Sequence, residues 1–250
     1  MKLFYTTLAV AAAAILPGAA QAADFKVSYE AAGAQNTTAT FATKGVETFD
    51  GRATGTQSFK TDFGSKGVIS GTYTNVGVNS ADVFGGAGGT GNYASTFSGT
   101  GYSLDLTTTD SRGINYFGFW LSALDRGNQL TFYKNGASVF TFSAAQIANL
   151  FTDKPGYYGN PNPAKSGNTS EPYAFLNFFD TNGTFDKIVF AETPQVGGYE
   201  SDNHTVGYFT GMGDATAVPE PSTWALMFCG LAMVGATMRR RKVRATVVTA

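Results

Sequence analysis

Gln129-Leu130-Thr131-Phe132-Tyr133-Lys134-Asn135-Gly136-Ala137-Ser138-Val139-Phe140-Thr141-Phe142 is the stretch that decides the fold class. On each side of Asn135-Gly136 apolar and polar residues alternate, which is the period of a half-buried strand. Asn-Gly is the preferred two-residue hairpin turn because both positions need a positive φ. The stretch reads as a β-hairpin and predicts an antiparallel body.

Working upstream, Ile114 to Leu121 is apolar at nearly every position, so it reads as a strand buried on both faces at the centre of a sandwich, with Trp120 buried between sheets. Tyr102, Leu104 and Leu106 alternate with polar neighbours, as do Phe25, Val27 and Tyr29. Shorter strands are expected over 38–43, 45–50, 58–63 and 68–74. Downstream, Ser143-Ala144-Ala145-Gln146 forms a capping box for one short helix carrying Ile147, Leu150 and Phe151. Tyr173 to Phe179 and Phe185 to Ala191 are further strands, separated by a tight turn at Asn182-Gly183. With 31 Gly, 21 Phe and 12 Tyr in the chain, an aromatic β core with many turns is the economical reading. The expected fold is all-β: an antiparallel, jelly-roll-like β-sandwich over residues 23–217 with one short helix.

Setting aside Lys2, the five basic residues of 239–244 and Glu220 leaves this body 11 basic and 17 acidic residues, a net charge of about -6. That weighs against nucleic acid as a partner. The one cysteine, Cys229, lies outside the body, which is therefore held by packing rather than disulfides.

Phe84-Gly85-Gly86-Ala87-Gly88-Gly89-Thr90-Gly91 contains the spacing of a dinucleotide fingerprint. That fingerprint works only where a helix follows and its N-terminus meets the pyrophosphate. Here Asn92 to Phe97 has β character, so the run reads as a glycine-rich loop. From Thr152 to Pro172 no periodicity survives. Tyr157, Tyr158, Asn160 and Asn162 on this long loop have the chemistry for glycan contact, since sugar rings stack on aromatics and hydroxyls bond amides. Alternatively the loop folds back and its tyrosines plug the sandwich edge. Glu200, Asp202 and Asn203 offer oxygen ligands that could begin a Ca²⁺ site, with Asp180, Asn182 and Asp186 as contributors. In a regular strand Asn203 would point away from the other two, so a bulge is required. The competing expectation is that these side chains satisfy backbone groups. No other cofactor is expected. His204 is the only histidine, which excludes a multi-histidine metal site.

Both ends of the chain carry signals. Lys2, the apolar stretch Leu8 to Leu16 and Ala20-Gln21-Ala22 have the layout of a signal peptide over residues 1–22, cleaved by signal peptidase. At the other end Pro219-Glu220-Pro221 leads into the uncharged run Trp224 to Met238, followed by Arg239, Arg240, Arg241 and Lys242. As a helix, that run spans about 22 Å; starting at Ser222 and with Arg239 snorkelling, 222–238 is expected to cross the membrane. The basic cluster holds its end, and residues 243–250, in the cytoplasm, leaving the proline box outside.

This tail (218–242) resembles the PEP-CTERM signal of bacterial exosortase substrates in its tryptophan-alanine variant. The resemblance implies recognition of Pro219, Glu220, Pro221, Trp224, Arg239, Arg240 and Arg241 by a membrane transpeptidase of the exosortase type. It further implies an inner-membrane precursor and a mature form at the surface or in the matrix of a Gram-negative bacterium. The body, through Gly85 to Gly91, Asn115 to Trp120, Tyr158 to Asn162, Tyr173 to Phe179 and Gly198 to Val206, looks like a family of exosortase-dependent surface proteins without an assigned activity. The function expected is a non-catalytic, exopolysaccharide-associated surface protein. A glycoside hydrolase or lyase, and a structural matrix or ice-associated protein, are the alternatives.

Overall fold

The computed structural model describes residues 24–97, 101–143, 146, 150–195 and 197–217. The signal peptide (1–22), the sorting segment from 218 with its membrane span 222–238, and Ile147 of the expected helix lie outside them. Thirteen strands form: β1 (Phe25–Tyr29), β2 (Thr40–Glu47), β3 (Gly55–Thr61), β4 (Ile69–Ser80), β5 (Asn92–Phe97), β6 (Tyr102–Thr108), β7 (Tyr116–Ser122), β8 (Asn128–Lys134), β9 (Ala137–Ser143), β10 (Ala174–Asp180), β11 (Lys187–Glu192), β12 (Gly198–Gly211) and β13 (Thr216–Ala217). Among the described residues helix is confined to short pieces. Gln146 accepts from the Ser143 backbone N–H at 2.9 Å, as the capping box requires, and Leu150 and Phe151 are helical.

All strand pairs are antiparallel, and they join one sheet in the order β13-β1-β10-β7-β12-β5-β4-β6-β11-β8-β9, with β2 on β12 and β3 on β4. The two layers of the expected sandwich are the two arms of this single curled sheet; β5 and β4 carry the hydrogen bonding from one arm to the other. Near the two ends of the path, Phe25 of β1 packs on Phe132 of β8 and Phe140 of β9, at ring centroid distances of 4.9 and 4.6 Å. The hollow is filled by aromatics from both arms, among them Phe117, Phe119, Phe178 and Phe190.

The β8–β9 hairpin forms as its sequence demands, with Asn135 and Gly136 at φ 50 and 79. Asn182-Gly183 turns the chain without making a hairpin. Neither residue has positive φ, and β10 and β11 belong to different arms; Asp180 accepts from both turn N–H groups instead. Strand β7 is buried at every residue. Its Phe117, Phe119 and Leu121 face the hollow, but Trp120 does not lie between the arms. It faces outward with Ala123, Tyr173 and Phe175, in a separate cluster covered by loops. An all-apolar strand offers no alternation from which to tell its faces apart.

Candidate functional site

The outer face of the β10-β7-β12-β5 arm carries the site. Across it Phe175 pairs with Trp120 and Trp120 with Asp202; Ser122 pairs with Glu200 and Glu200 with Ser95. Over this face lies the glycine-rich loop as a lid. The Ala87 N–H donates to Asp202 Oδ2 at 2.7 Å, and the Tyr173 hydroxyl donates to the Val83 carbonyl at 2.7 Å. The lid sits low because it lacks side chains: a Cβ on Gly85 would lie 2.5 Å from the Tyr93 ring, and one on Gly89 would fall on the Asn162 amide. Strand β5 follows the loop directly, so no helix N-terminus awaits a pyrophosphate.

Three buried polar atoms beneath the lid have no partner among the described residues: Trp120 Nε1, Ser122 Oγ and Glu200 Oε2. Burial, then the nearby Asp125 carboxylate, pushes the Glu200 carboxyl up to about 9, so it holds its proton at neutral pH. Burial likewise pushes Asp202 up to about 7, against the two N–H groups of Ala87 and Asn203 that its oxygens accept. Chemically this is a buried polar floor with a neutral carboxylic acid, a hydroxyl and an indole N–H, able to bond water or a hydroxylated group.

The bulge required on β12 is present. Asn203 has φ 50, and the ladder to β7 shifts register between Asp202 and Thr205. The Asn203 amide is turned to the Gln35 carbonyl at 2.9 Å. Among the described residues no three His, Cys, Asp or Glu side chains surround one metal position. Asp180 and Asn182 lie at the other end of the arm, and Asp186 accepts from the Asn135 N–H at the β8–β9 turn of the opposite arm. Phe179 pairs with Tyr116, six residues along β7 from the partner of Glu200, or about 20 Å at strand rise.

Of the four loop residues with glycan chemistry, three are turned inward. Tyr157 packs edge-on against Tyr29 and donates to the Glu30 carbonyl. Asn160 donates to the Asp82 and Val83 carbonyls, which ties the long loop to the lid, and Asn162 caps a 3₁₀ turn at Ala164. Tyr158 is exposed, as are Val83 and Phe84 at the lid.

The same bulge organises a network that sequence spacing conceals. Ser201 and His204, three apart, would face opposite sides of a regular strand; the extra residue turns both into the hollow. His204 Nε2 lies 2.9 Å from Ser201 Oγ and Nδ1 lies 2.9 Å from the Tyr73 hydroxyl, while Ser201 also meets the Tyr102 hydroxyl. Burial drives the imidazole down to about 3, so it is neutral. This Ser–His contact has the geometry of a nucleophile and base, but both residues are fully buried among Phe49, Phe117 and Phe190.

Where the sheet ends, the address begins. Residues 217–242 match the family model of the PEP-CTERM protein-sorting motif. The chain carries a PEP-CTERM sorting tail. No curated protein and no solved structure matches the chain. A PEP-CTERM tail implies export, processing by an exosortase at the membrane, and a surface destination.

Proposed function

We propose that this protein, once sorted, is a non-catalytic envelope component that associates with the exopolysaccharide of a Gram-negative surface. The observation that carries this reading is the PEP-CTERM tail joined directly to a β body. Supporting it, Val83 and Phe84 at the lid and Tyr158 on the long loop are exposed apolar or aromatic side chains, suited to contact with sugar rings. Glu200 and Asp202 of the floor and His204 of the hollow are buried away from any such polymer, which favours binding over hydrolysis.

The test is retention of residues 23–217 on immobilised exopolysaccharide, with calcium and with EDTA. Retention is expected in both, and Phe84→Ala with Tyr158→Ala is expected to weaken it at least tenfold. Loss on chelation would assign calcium to Glu200, Asp202 and Asn203; released oligosaccharides would make the protein a hydrolase or lyase; no retention would overturn the reading.

A second reading, a structural matrix or ice-associated protein, draws support from the opposite arm. Its outer face aligns Thr74, Ser103, Thr131 and Thr141 across five strands, interrupted by Val189. Next to this row is a cleft of ≈ 520 Å³ lined by Lys60, Ser70, Thr72 and Asp105. Thermal hysteresis of the purified body, abolished by Thr131→Val with Thr141→Val, would select this reading.

A further inference from the structure

Thr216 and Ala217 form β13, paired with Tyr29 and Ser28 on the outer edge of β1. The sorting motif starts at residue 217, so its first residue is also the last of the sheet. Only Val218 separates that residue from Pro219-Glu220-Pro221. Three residues of fully extended chain reach at most about 10 Å, so the box is tied close to the folded body. Continued in register along β1, Val218 would meet Val27 and Pro219 would meet Lys26. Proline has no N–H to give a ladder and is confined to sheet edges and bulges.

An enzyme that cuts a peptide binds the flanking chain in extended form through its main-chain groups. In β13 those groups are engaged in pairing with β1. Both residues are exposed, so little burial strengthens the pairing. Each backbone bond there shifts the balance between paired and free by no more than about tenfold.

We propose that β13 is a releasable clasp on the sorting reaction: Thr216 and Ala217 must leave the β1 edge before the exosortase-type enzyme cuts at the box, so the folded body slows its own processing. This rests on the tail being processed. It assigns to β1, the strand that holds β13, a role in setting when the precursor becomes mature protein.

The test follows conversion of full-length precursor to mature protein by pulse-chase in cells containing the exosortase. Two variants are compared with the native sequence. In a Cys229→Ser background, Ser28→Cys with Ala217→Cys places two thiols on directly opposed residues, within reach of a disulfide. The other variant carries six Gly and Ser residues between Ala217 and Val218. The oxidised cysteine variant is expected to convert at least tenfold more slowly than the same chain in membranes treated with dithiothreitol, and the spacer variant severalfold faster than the native sequence. Equal conversion of the oxidised and reduced forms, or a spacer that changes nothing, overturns the clasp alone. A native precursor that never converts overturns the sorting reading and the clasp with it.

Discussion

Glu200 is the side chain at which burial and chemistry conflict most. Its carboxyl has an ordinary value of 4.5 and is held near 9 in the folded protein. A raised folded value stabilises the protein fully below 4.5, and that contribution is lost as pH rises toward 9. His204 runs the other way: its ordinary 6.5 falls to about 3, so its contribution is present above 6.5 and is lost as pH falls toward 3. Glu200→Gln imitates the protonated acid and cannot ionise. The variant is expected to gain stability over the native protein as pH rises, by up to roughly 1.4 kcal/mol per pH unit between 4.5 and 9. Urea unfolding at pH 5 and pH 8 checks this, and a difference independent of pH would contradict the assigned burial. Trp120 is the other decisive residue. Trp120→Ala is expected to cost about 3–5 kcal/mol, since a fully enclosed indole leaves a cavity. Trp120→Phe is expected to cost far less, because it also removes the unpartnered N–H. The burial of Trp120 was legible in its apolar strand, but the face was not, and the pairing of Glu200 with Ser122 depends on which strands become neighbours.

At the scale of elements, what could be read was what is local. The β8–β9 hairpin follows from two residues that accept positive φ, and the Ser143–Gln146 box from a spacing of three. The need for a bulge near Asn203 followed from alternation, but its consequence did not. Counting along β12 puts Ser201 and His204 on opposite faces, and only the inserted residue joins them to Tyr73 and Tyr102. The lid was readable as a loop but not as a cover, because its seat is the ring of Tyr93 and the amide of Asn162, from elsewhere in the chain. Gly85→Ala tests that seat. A methyl group 2.5 Å from the Tyr93 ring must lift the lid or displace the ring, at an expected cost of about 1–3 kcal/mol. In a Trp224→Phe background Trp120 is the sole indole, and its emission is expected to shift to the red as water enters beneath the lid. An unchanged spectrum would show that the loop is not what keeps Trp120 dry.

At the scale of the whole molecule, a sheet closed by contacts such as Phe25 on Phe140 brings residues far apart in sequence together, and no pattern within a strand specifies that closure. The tail is the reverse case: proline box, apolar run and basic cluster act in sequence order, so the address was legible without a fold. The two scales meet at Ala217, and they make a joint prediction. Lys and Arg resist translocation, so 239–242 are expected to hold one end of the apolar run inside and to leave the box outside. On that topology an enzyme at the outer face is expected to separate the body, β1 to β13, from everything after the box. Surface-released protein is expected to begin at Ala23 and to end before Ser222 when measured by mass spectrometry. Glu220→Ala with Pro221→Ala is expected to leave full-length chain in the inner membrane, with the body's urea midpoint unchanged, because the box lies beyond the last sheet pairing at Ala217. A released chain that still contains Trp224 to Met238 would make the tail a permanent anchor. A lowered midpoint in the double variant would mean that the box belongs to the fold as well as to the address.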